Sequence, residues 1–295
     1  MTDTDWLAQR FDENRTHLRS VAYRMLGSLS EADDAVQETW LRLSRSDISG
    51  VENLAAWLTA VVARVSLDML RSRRSRREDA LDAHAPEQIA SPEGDPEQEA
   101  LLADSVGLAL LVVLDTLPPA ERLAFVLHDM FALPFDEIAP IVGRSPSAAR
   151  QLASRARRRI HGGADRAGTD LSRHREIIER FLVALRAGDF EGLLAVLDPD
   201  VVVRGDAVAA VAPGGGVEVR GARTWAAHAL SFSRGARFAR PALVDGAVGA
   251  VLAPRGRLFR ALTFTITRGK IARIDVIGDP DRLRRLDLAL LGRET

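Results

Sequence analysis

The sequence of 295 residues contains no cysteine, and only one of its forty basic residues, Lys270, is a lysine. Without cysteine, disulfide bonds, thiol catalysis and cysteine-based zinc sites are excluded. The six histidines are scattered along the chain. We therefore expect neither a metal site nor a bound cofactor.

Long apolar runs are also missing, since no stretch of 18 uninterrupted apolar residues occurs. The first residues, MTDTDWLAQRFDENR, are acidic and polar, unlike a signal peptide or a membrane anchor. We therefore expect a cytoplasmic protein without a membrane partner. The length is sufficient for two or three domains, each with its own core.

Charge is strongly segregated, although the net charge is only −1. Residues Arg64 to Arg77 include six arginines and one acid, and Arg144 to Ile160 include six arginines and no acid. Between these blocks, Glu78 to Glu99 contain eight acids and no basic residue. Two basic blocks around an acidic connector indicate a polyanion bound at two places. Two solvated helix faces are the alternative.

The first 75 residues or so have helical apolar spacing. Gly27 is expected to end one helix, and Ser30 with Asp33 resembles a capping box that starts the next. Asn53 is a plausible N-cap for a third helix.

The remaining chain divides into a linker and two further domains. Residues 78–99, which contain three prolines and the eight acids, predict a flexible linker. A second helical domain is expected over 100–163. From 171 to 295, two helices (about 173–187 and 190–197) precede β-branched runs at 201–203, 217–219, 262–266 and 271–277. The expected fold is multidomain, with an all-α domain over 1–77, a second all-α domain and an α+β domain.

The segment PFDEIAPIVGRSPSAARQLASRARRRI, residues 134–160, carries the strongest local signal. A short apolar helix precedes Gly143, where a tight turn is possible, and Ser145 can cap a helix that begins at Pro146. Inward positions of that second helix are predicted at Ala149, Leu152, Ala156 and Ile160. The outward positions are predicted at Ser147, Arg150, Gln151, Ser154, Arg155 and Arg158.

This pattern is typical of a helix-turn-helix that reads the DNA major groove. Arginine and glutamine bind guanine and adenine in bidentate fashion, and the later arginines suit phosphates. An ordinary helical hairpin with a basic face is the alternative.

Two further surfaces complement the helix-turn-helix. In SEADDAVQETWLRL, Asp34 and Glu38 are four residues apart on one helix face, a like-charge pair that weakens an isolated helix by a few tenths of a kcal/mol. A basic partner would turn Asp34, Gln37 and Glu38 into a docking surface; a solvated face is the alternative. The helix from Asn53 to Arg77 ends in LRSRRSRR, and it follows a polar loop suited to an opened DNA strand.

Together these segments resemble the extracytoplasmic-function sigma factors of RNA polymerase, over roughly residues 10–160. YRMLGSLSEADDAVQETWLRL is similar to the clamp-binding part of sigma region 2, and WLTAVVARVSLDMLRSRR to its −10-element helix. Residues 117–160 are similar to region 4, which reads the −35 element. The resemblance implies that core polymerase and promoter DNA are the partners and that the chain is no enzyme. It assigns clamp-helix binding to Asp34, Gln37 and Glu38; −10 contacts to Asn53, Arg64, Asp68, Arg71 and Arg74; and −35 contacts to the outward residues of the second helix.

The C-terminal segment from about Leu171 resembles the SnoaL-like domain fused to one branch of these sigma factors. In that branch the domain and the linker regulate transcription, so a separate anti-sigma factor is not required. The sequence differs from the branch at HAPEQI (84–89), AVAAVAPGGGVEV (207–219) and DPDRL (279–283). The resemblance implies a cone-shaped fold with a small-molecule pocket, for which the candidate residues are Asp206, Trp225, His228, Phe232 and Phe264.

Two other functions stay open from the residues alone. SnoaL-like folds include enzymes, for which Asp206, His228 and Asp275 are candidate acid-base groups. A helix-turn-helix transcription factor with a ligand-binding or enzymatic SnoaL-like domain is the second. The region 2 resemblance argues against it, because a repressor needs no clamp-binding surface.

Overall fold

The structure is a computed structural model that describes residues 3–48, 50–79, 107–161, 169–209, 211, 217–254 and 257–291. Residues 80–99 of the predicted linker, and with them the HAPEQI segment, lie outside the described residues. The chain forms two compact units. The first comprises Met1–Val106 and Leu117–Arg157, and the second comprises Gly107–Thr116 and Arg158–Thr295. This division differs from the expected domain boundaries, because residues 107–116 group with the C-terminal segment.

Helices dominate the described residues up to residue 196. In chain order they are α1 (Asp3–Leu26), α2 (Leu29–Leu43), α3 (Leu54–Asp79), α4 (Leu108–Thr116), α5 (Pro119–Phe125), α6 (Phe135–Val142), α7 (Pro146–Ile160), α8 (Thr169–Ala187), α9 (Phe190–Val196), α10 (Ala222–Ala229), α11 (Ser233–Ala236) and α12 (Pro280–Arg285).

The strands all belong to one sheet. They are β1 (Leu197–Gly205), β2 (Glu218–Arg220), β3 (Ala239–Val244), β4 (Ala247–Leu252), β5 (Arg260–Thr267), β6 (Lys270–Ile277) and β7 (Leu288–Ala289).

In the first unit, α1, α2 and α3 pack against one another around a core that includes Leu18, Met25 and Leu58. Gly27 follows α1 with a left-handed φ of 75°, as predicted. The predicted start of α2 at Ser30 is wrong. Ser28 is the N-cap, since its hydroxyl accepts a hydrogen bond from the Glu31 N–H, and this places the start of α2 at Leu29.

The other described residues of the first unit form further helices. Helix α5 continues into a single π-helical turn, Val126–Met130, and α6 and α7 follow. Helices α5 and α6 pack against α3, and the π turn contacts α1. The larger part of the segment predicted to form region 4, Leu117–Arg157, therefore belongs to the same compact unit as region 2.

The second unit is built on a seven-stranded sheet with the order β2-β1-β6-β5-β4-β3-β7. Strands β1 and β6 are parallel and the other pairs are antiparallel. Helix α8 packs against β3 and β4, and its Ile178, Phe181 and Leu182 are almost fully buried in the core. Two-residue turns, Asp245-Gly246 and Arg268-Gly269, join β3 to β4 and β5 to β6; all four residues have positive φ, which suits tight hairpins.

Helix α4 belongs to this second unit. Its residues Leu108, Leu111, Val112, Val113 and Leu114 are all buried, as expected of a helix that is apolar on every side. It packs against β3 and β7. Beyond β7, the Leu290 N–H donates a hydrogen bond of 2.7 Å to the carbonyl of Ile160, the last residue of α7.

The predicted fold class is confirmed. Two all-α parts precede an α+β domain whose two helices and following strands have the order expected for a SnoaL-like domain. All four predicted β runs fall within strands or overlap them, and β3, β4 and β7 are additional. No helix among the described residues is long and apolar enough to cross a lipid bilayer.

Candidate nucleic-acid interface

The turn between α6 and α7 has the geometry that its sequence predicts. Gly143 is left-handed, with φ 70° and ψ 42°, and no neighbouring atom lies near the position of a Cβ there. The Arg144 N–H donates to the Ala139 carbonyl at 3.0 Å. The Ser145 hydroxyl accepts a hydrogen bond from the Ala148 N–H at 3.3 Å, which caps α7. A short helix, a glycine turn and a capped second helix form a helix-turn-helix.

Helix α7 has one buried face and one exposed face. Leu152, predicted inward, is only half-buried, and Ala153 takes its place in the core. The buried residues are Ala149, Ala153, Ala156 and Ile160. Of the predicted outward residues, Ser154 is half-buried and the exposed ones are Ser147, Arg150, Gln151, Arg155 and Arg158.

Some polar groups of α7 are bound within the protein. The Ser147 hydroxyl lies 3.0 Å from that of Ser145. Arg157 donates from Nε to an Asp129 carboxylate oxygen at 2.6 Å, which ties α7 to the π turn. Arg150 lies over the ring of Phe135, with its guanidinium carbon 5.4 Å from the ring centroid. The exposed face of α7 thus presents guanidinium and amide groups to solvent, while the helix itself is held in place by these contacts.

Helix α2 carries an acidic face whose carboxylates are mostly paired. Arg73 binds Glu31 at 3.1 Å, Arg19 binds Asp33 at 2.7 Å and Arg42 binds Glu38 at 2.9 Å. Asp34 and Gln37 are exposed. Among the described residues, none is ion-paired with Asp34, and its charge is therefore available to a cation of a partner.

Three of the predicted polymerase and −10 residues line one groove. A cleft of about 390 Å³ between α2 and α3 is lined by Asp34 and Glu38 from α2 and by Asp68 from α3. Other lining residues are Glu31, Arg42, Val65, Met69, Ser72 and Arg76. The structure therefore brings the two predicted surfaces of region 2 side by side.

On α3, Arg64, Asp68 and Arg71 are exposed. Asp68 is paired with Arg71 at 3.8 Å, a long contact between two exposed side chains that contributes little to stability. The Asn53 side chain accepts a hydrogen bond from the Ala56 N–H at 3.1 Å, as predicted for an N-cap. The side chain of Arg74 lies outside the described residues.

Arg122 is a buried arginine that sequence reasoning missed. Its side chain is 1 % exposed, and its Nε donates 3.1 Å to the carbonyl of Arg24 in the last turn of α1, where helical carbonyls have no partner in the helix. Next to this contact, Phe131 lies under the Arg24 guanidinium and edge-on to His17. Burial, with a smaller contribution from Arg24, lowers the pKa of His17. No sequence pattern links residues so far apart.

The aromatic residues predicted to line a ligand pocket form two separate sets of ring contacts. Trp225 and Phe264 both pack on Phe181 in the core, and their ring centroids lie 5.6 and 5.5 Å from the Phe181 centroid, respectively. His228 and Phe232 form a separate edge-on pair at 5.0 Å, and Phe232 is exposed.

Asp206 holds two loops together. Its carboxylate accepts hydrogen bonds from the N–H groups of Gly278, Asp279, Val208 and Ala209, at 2.8 to 3.2 Å. Burial raises the pKa of this carboxyl, but the four backbone donors outweigh it and the pKa of Asp206 is lower than its ordinary value. The carboxylate is saturated by its own chain, which leaves little capacity for a ligand or for proton transfer.

Comparison with known families matches two parts of the chain. The family model of sigma-70 region 2 matches residues 10–76, and that of sigma-70 region 4 matches residues 107–160. The second match includes α4 and the whole helix-turn-helix.

Relatives of known name align over nearly the whole chain. The ECF RNA polymerase sigma factor SigJ of Mycobacterium tuberculosis is 38 % identical, over 92 % of this chain and 91 % of the relative. The probable ECF RNA polymerase sigma factor SigI of the same species is 35 % identical, over 99 % and 100 %. A crystal structure of M. tuberculosis SigJ is 32 % identical, with a TM-score of 0.45 and coverage of 93 % and 97 %. The resemblance predicted from the motifs is thereby confirmed: this chain belongs to the extracytoplasmic-function RNA polymerase sigma factors, with an α+β domain after regions 2 and 4.

Proposed function

We propose that this sigma factor reads the −35 element with the exposed face of α7, contacts the −10 element through α3 and binds the polymerase clamp helices through α2. The helix-turn-helix carries this proposal, because its capped second helix presents Arg150, Gln151 and Arg155 to solvent. Arginine and glutamine at the start of such a helix suit base edges, and the later arginines suit phosphates. The acting partners are core polymerase and promoter DNA, in the cytoplasm.

Polymerase binding is assigned to the acidic face of α2. Asp34 supports this assignment, since it is exposed and has no ion pair with a described residue, whereas its neighbours Glu31, Asp33 and Glu38 are paired within the chain. An unpaired carboxylate on an otherwise neutralised face suits a basic partner.

Charge reversal tests this assignment. Asp34→Arg is expected to weaken binding to core polymerase about tenfold or more, because like charges then face each other across the interface. Asp12→Arg is the matched control, since Asp12 is an exposed, paired carboxylate on α1. Affinity is measured by fluorescence anisotropy of the labelled full chain. Equal affinities of the two variants would contradict the assignment.

Modulation by the C-terminal domain is supported by the composition of the second unit. Helix α4 and Ile160, the last residue of α7, both fall inside the region 4 match. Helix α4 packs against β3 and β7, and the Ile160 carbonyl accepts a hydrogen bond from Leu290, the residue after β7. A change in the α+β domain therefore has a direct route to the end of the −35 helix. With this regulator in the same chain, a separate anti-sigma factor is not required, and the domain needs no catalytic activity.

Run-off transcription from a promoter library tests the modulation. Leu290→Pro removes the N–H that donates to Ile160, whereas the control Leu290→Ala keeps it. A transcript yield that changes in Leu290→Pro alone supports the proposal; a rise means that the domain restrains transcription and a fall means that it assists. Equal yields contradict it. If the unaltered chain gives no transcript at all with core polymerase, the alternative hypothesis of a helix-turn-helix transcription factor is favoured.

A further inference from the structure

Three side chains from three successive elements form a stack beside the exposed face of α7. The imidazole of His128, in the π turn, lies against the ring of Phe135, the first residue of α6, with centroids 3.9 Å apart and planes 27° apart. On α7, the guanidinium carbon of Arg150 lies 5.4 Å from the centroid of the same ring. Phe135 therefore contacts both an imidazole and a guanidinium.

The backbone fixes the base of this stack. His128 Nδ1 lies 2.9 Å from the Leu133 carbonyl oxygen, and because a carbonyl can only accept, Nδ1 carries the proton. Ala132, between the π turn and α6, has a left-handed φ of 56°, and the Leu133 N–H returns to the Leu127 carbonyl at 2.9 Å. These bonds hold the imidazole under Phe135.

The Phe135 ring is not among the fully buried side chains of α6. Phe135 is only half-buried, whereas the buried residues of this helix are Ile138, Ala139, Ile141 and Val142. Arg150 is exposed and, among the described residues, is paired with no carboxylate. Asp136 and Glu137, the exposed acids in the first turn of α6, form no ion pair with Arg150. The ring is thus the contact that limits where this guanidinium points.

We propose that Phe135, seated on His128, is a positioning residue that holds the Arg150 guanidinium in the orientation required for base discrimination in the −35 element. This inference rests on the proposed role of Arg150 in reading that element. A free arginine side chain loses rotamer entropy when it is fixed. An aromatic face that restricts it beforehand reduces this loss, and an exposed cation–π contact of this kind is worth a factor of about two to five in an equilibrium constant.

The test measures base preference by the holoenzyme. Full-length protein with core polymerase transcribes a template library that contains all four bases at each −35 position, and transcripts are counted by sequencing. Phe135→Leu keeps an apolar side chain but removes the ring. We expect it to relax discrimination about two- to five-fold at the position that Arg150→Ala affects, and to leave other positions unchanged.

Two variants separate positioning from packing. Phe135→Trp keeps an aromatic face and is expected to retain the preference. Phe190→Leu removes the ring of a cation–π pair of the same 5.4 Å distance, with Arg223 in the second unit, and is expected to have no effect on the preference.

Each remaining outcome decides a separate claim. If Arg150→Ala alters no base preference, the proposed −35 role of Arg150 is refuted and the inference with it. If Arg150→Ala alters the preference but Phe135→Leu does not, only the inference is overturned. A uniform loss at all promoters in Phe135→Leu, or a failure of Phe135→Trp to retain the preference, assigns Phe135 to packing and also overturns the inference.

Discussion

Replacing Asp206 by asparagine tests whether this residue is structural. Asparagine keeps one acceptor oxygen and puts an amide N–H₂ where the second oxygen was. Oδ2 accepts from Gly278 and Asp279, and Oδ1 accepts from Val208 and Ala209. If the amide nitrogen replaces Oδ2, the N–H groups of Gly278 and Asp279 lose their acceptor. If it replaces Oδ1, the Val208 N–H loses its acceptor, whereas the Ala209 N–H keeps the Asp206 backbone carbonyl at 3.0 Å.

The magnitude follows from the donors that are left without an acceptor. Each buried, unsatisfied N–H costs about 1–3 kcal/mol, and the Asp206 side chain is only 9 % exposed. The amide can adopt the orientation that leaves one donor unpaired, so we expect Asp206→Asn to lower the free energy of unfolding by about 1–3 kcal/mol. Asp275→Asn is the matched control. Asp275 is paired with Arg273 at 2.7 Å on a solvent-accessible part of the sheet, so its loss costs about 1 kcal/mol or less.

Urea denaturation and amide hydrogen exchange measure this difference. Exchange at Val208, Gly278 and Asp279 reports directly on these donors. A free energy of unfolding within about 0.5 kcal/mol of the unaltered chain, the usual range for surface substitutions, would refute the structural role.

The pH dependence gives a second check. The pKa of Asp206 is lowered in the folded protein, so its carboxylate stabilises the fold above the unfolded pKa of about 3.9, and this stabilisation is lost as pH falls through the folded pKa. Asp206→Asn is expected to remove this part of the acid destabilisation, which a titration of the urea midpoint below about pH 5 measures.

Two further substitutions test the first unit. Arg122→Met is expected to lower the free energy of unfolding by about 1–3 kcal/mol, because the Arg24 carbonyl loses its buried donor; an unchanged urea midpoint would contradict this. Gly143→Ala is expected to cost about 1–2 kcal/mol, because Gly143 is left-handed and alanine is strained there although space is free. It should also weaken binding to −35 DNA, and equal affinity in a band-shift assay would show that the turn tolerates a side chain.

The helix-turn-helix was predictable because its signals are local. Gly143, Ser145 and Pro146 specify a turn and a helix start within four positions. Leu152 was predicted to be buried, but Ala153 lies in the core instead. Apolar periodicity did not separate these neighbours, which differ by about 100° around the helix axis, because leucine is the larger apolar residue. The shift of the α2 cap from Ser30 to Ser28 has a similar cause, because two serines compete for one role.

Strands β3 and β4 were missed because their composition is weak. They are rich in alanine and glycine, and β3 contains Pro241, a residue that is rare within strands. Pro241 is tolerated because β7 pairs only with Leu243 and Val244, which leaves that part of β3 at an edge. The Asp245-Gly246 dipeptide between the two strands is a local hairpin signal.

The candidate sites were likewise predictable only where their residues lie close together in the sequence. The outward face of α7 follows from spacing along one helix, and it is exposed apart from Ser154. The stack of His128, Phe135 and Arg150 depends on a π turn and on three elements, and no sequence pattern announces it. The packing of Trp225 and Phe264 on Phe181 was not predicted, because such tertiary contacts are not encoded in local spacing.

The placement of α4 has a consequence for synthesis on the ribosome. Domains generally fold from the N-terminus as they emerge, but α4 is buried against β3 and β7, and β7 is the last strand made. Until β7 emerges, the apolar surface of α4 lacks this cover, and contacts so distant in sequence form slowly. Nascent or prematurely terminated chains therefore expose apolar surface within region 4, which makes them targets for chaperones and proteases.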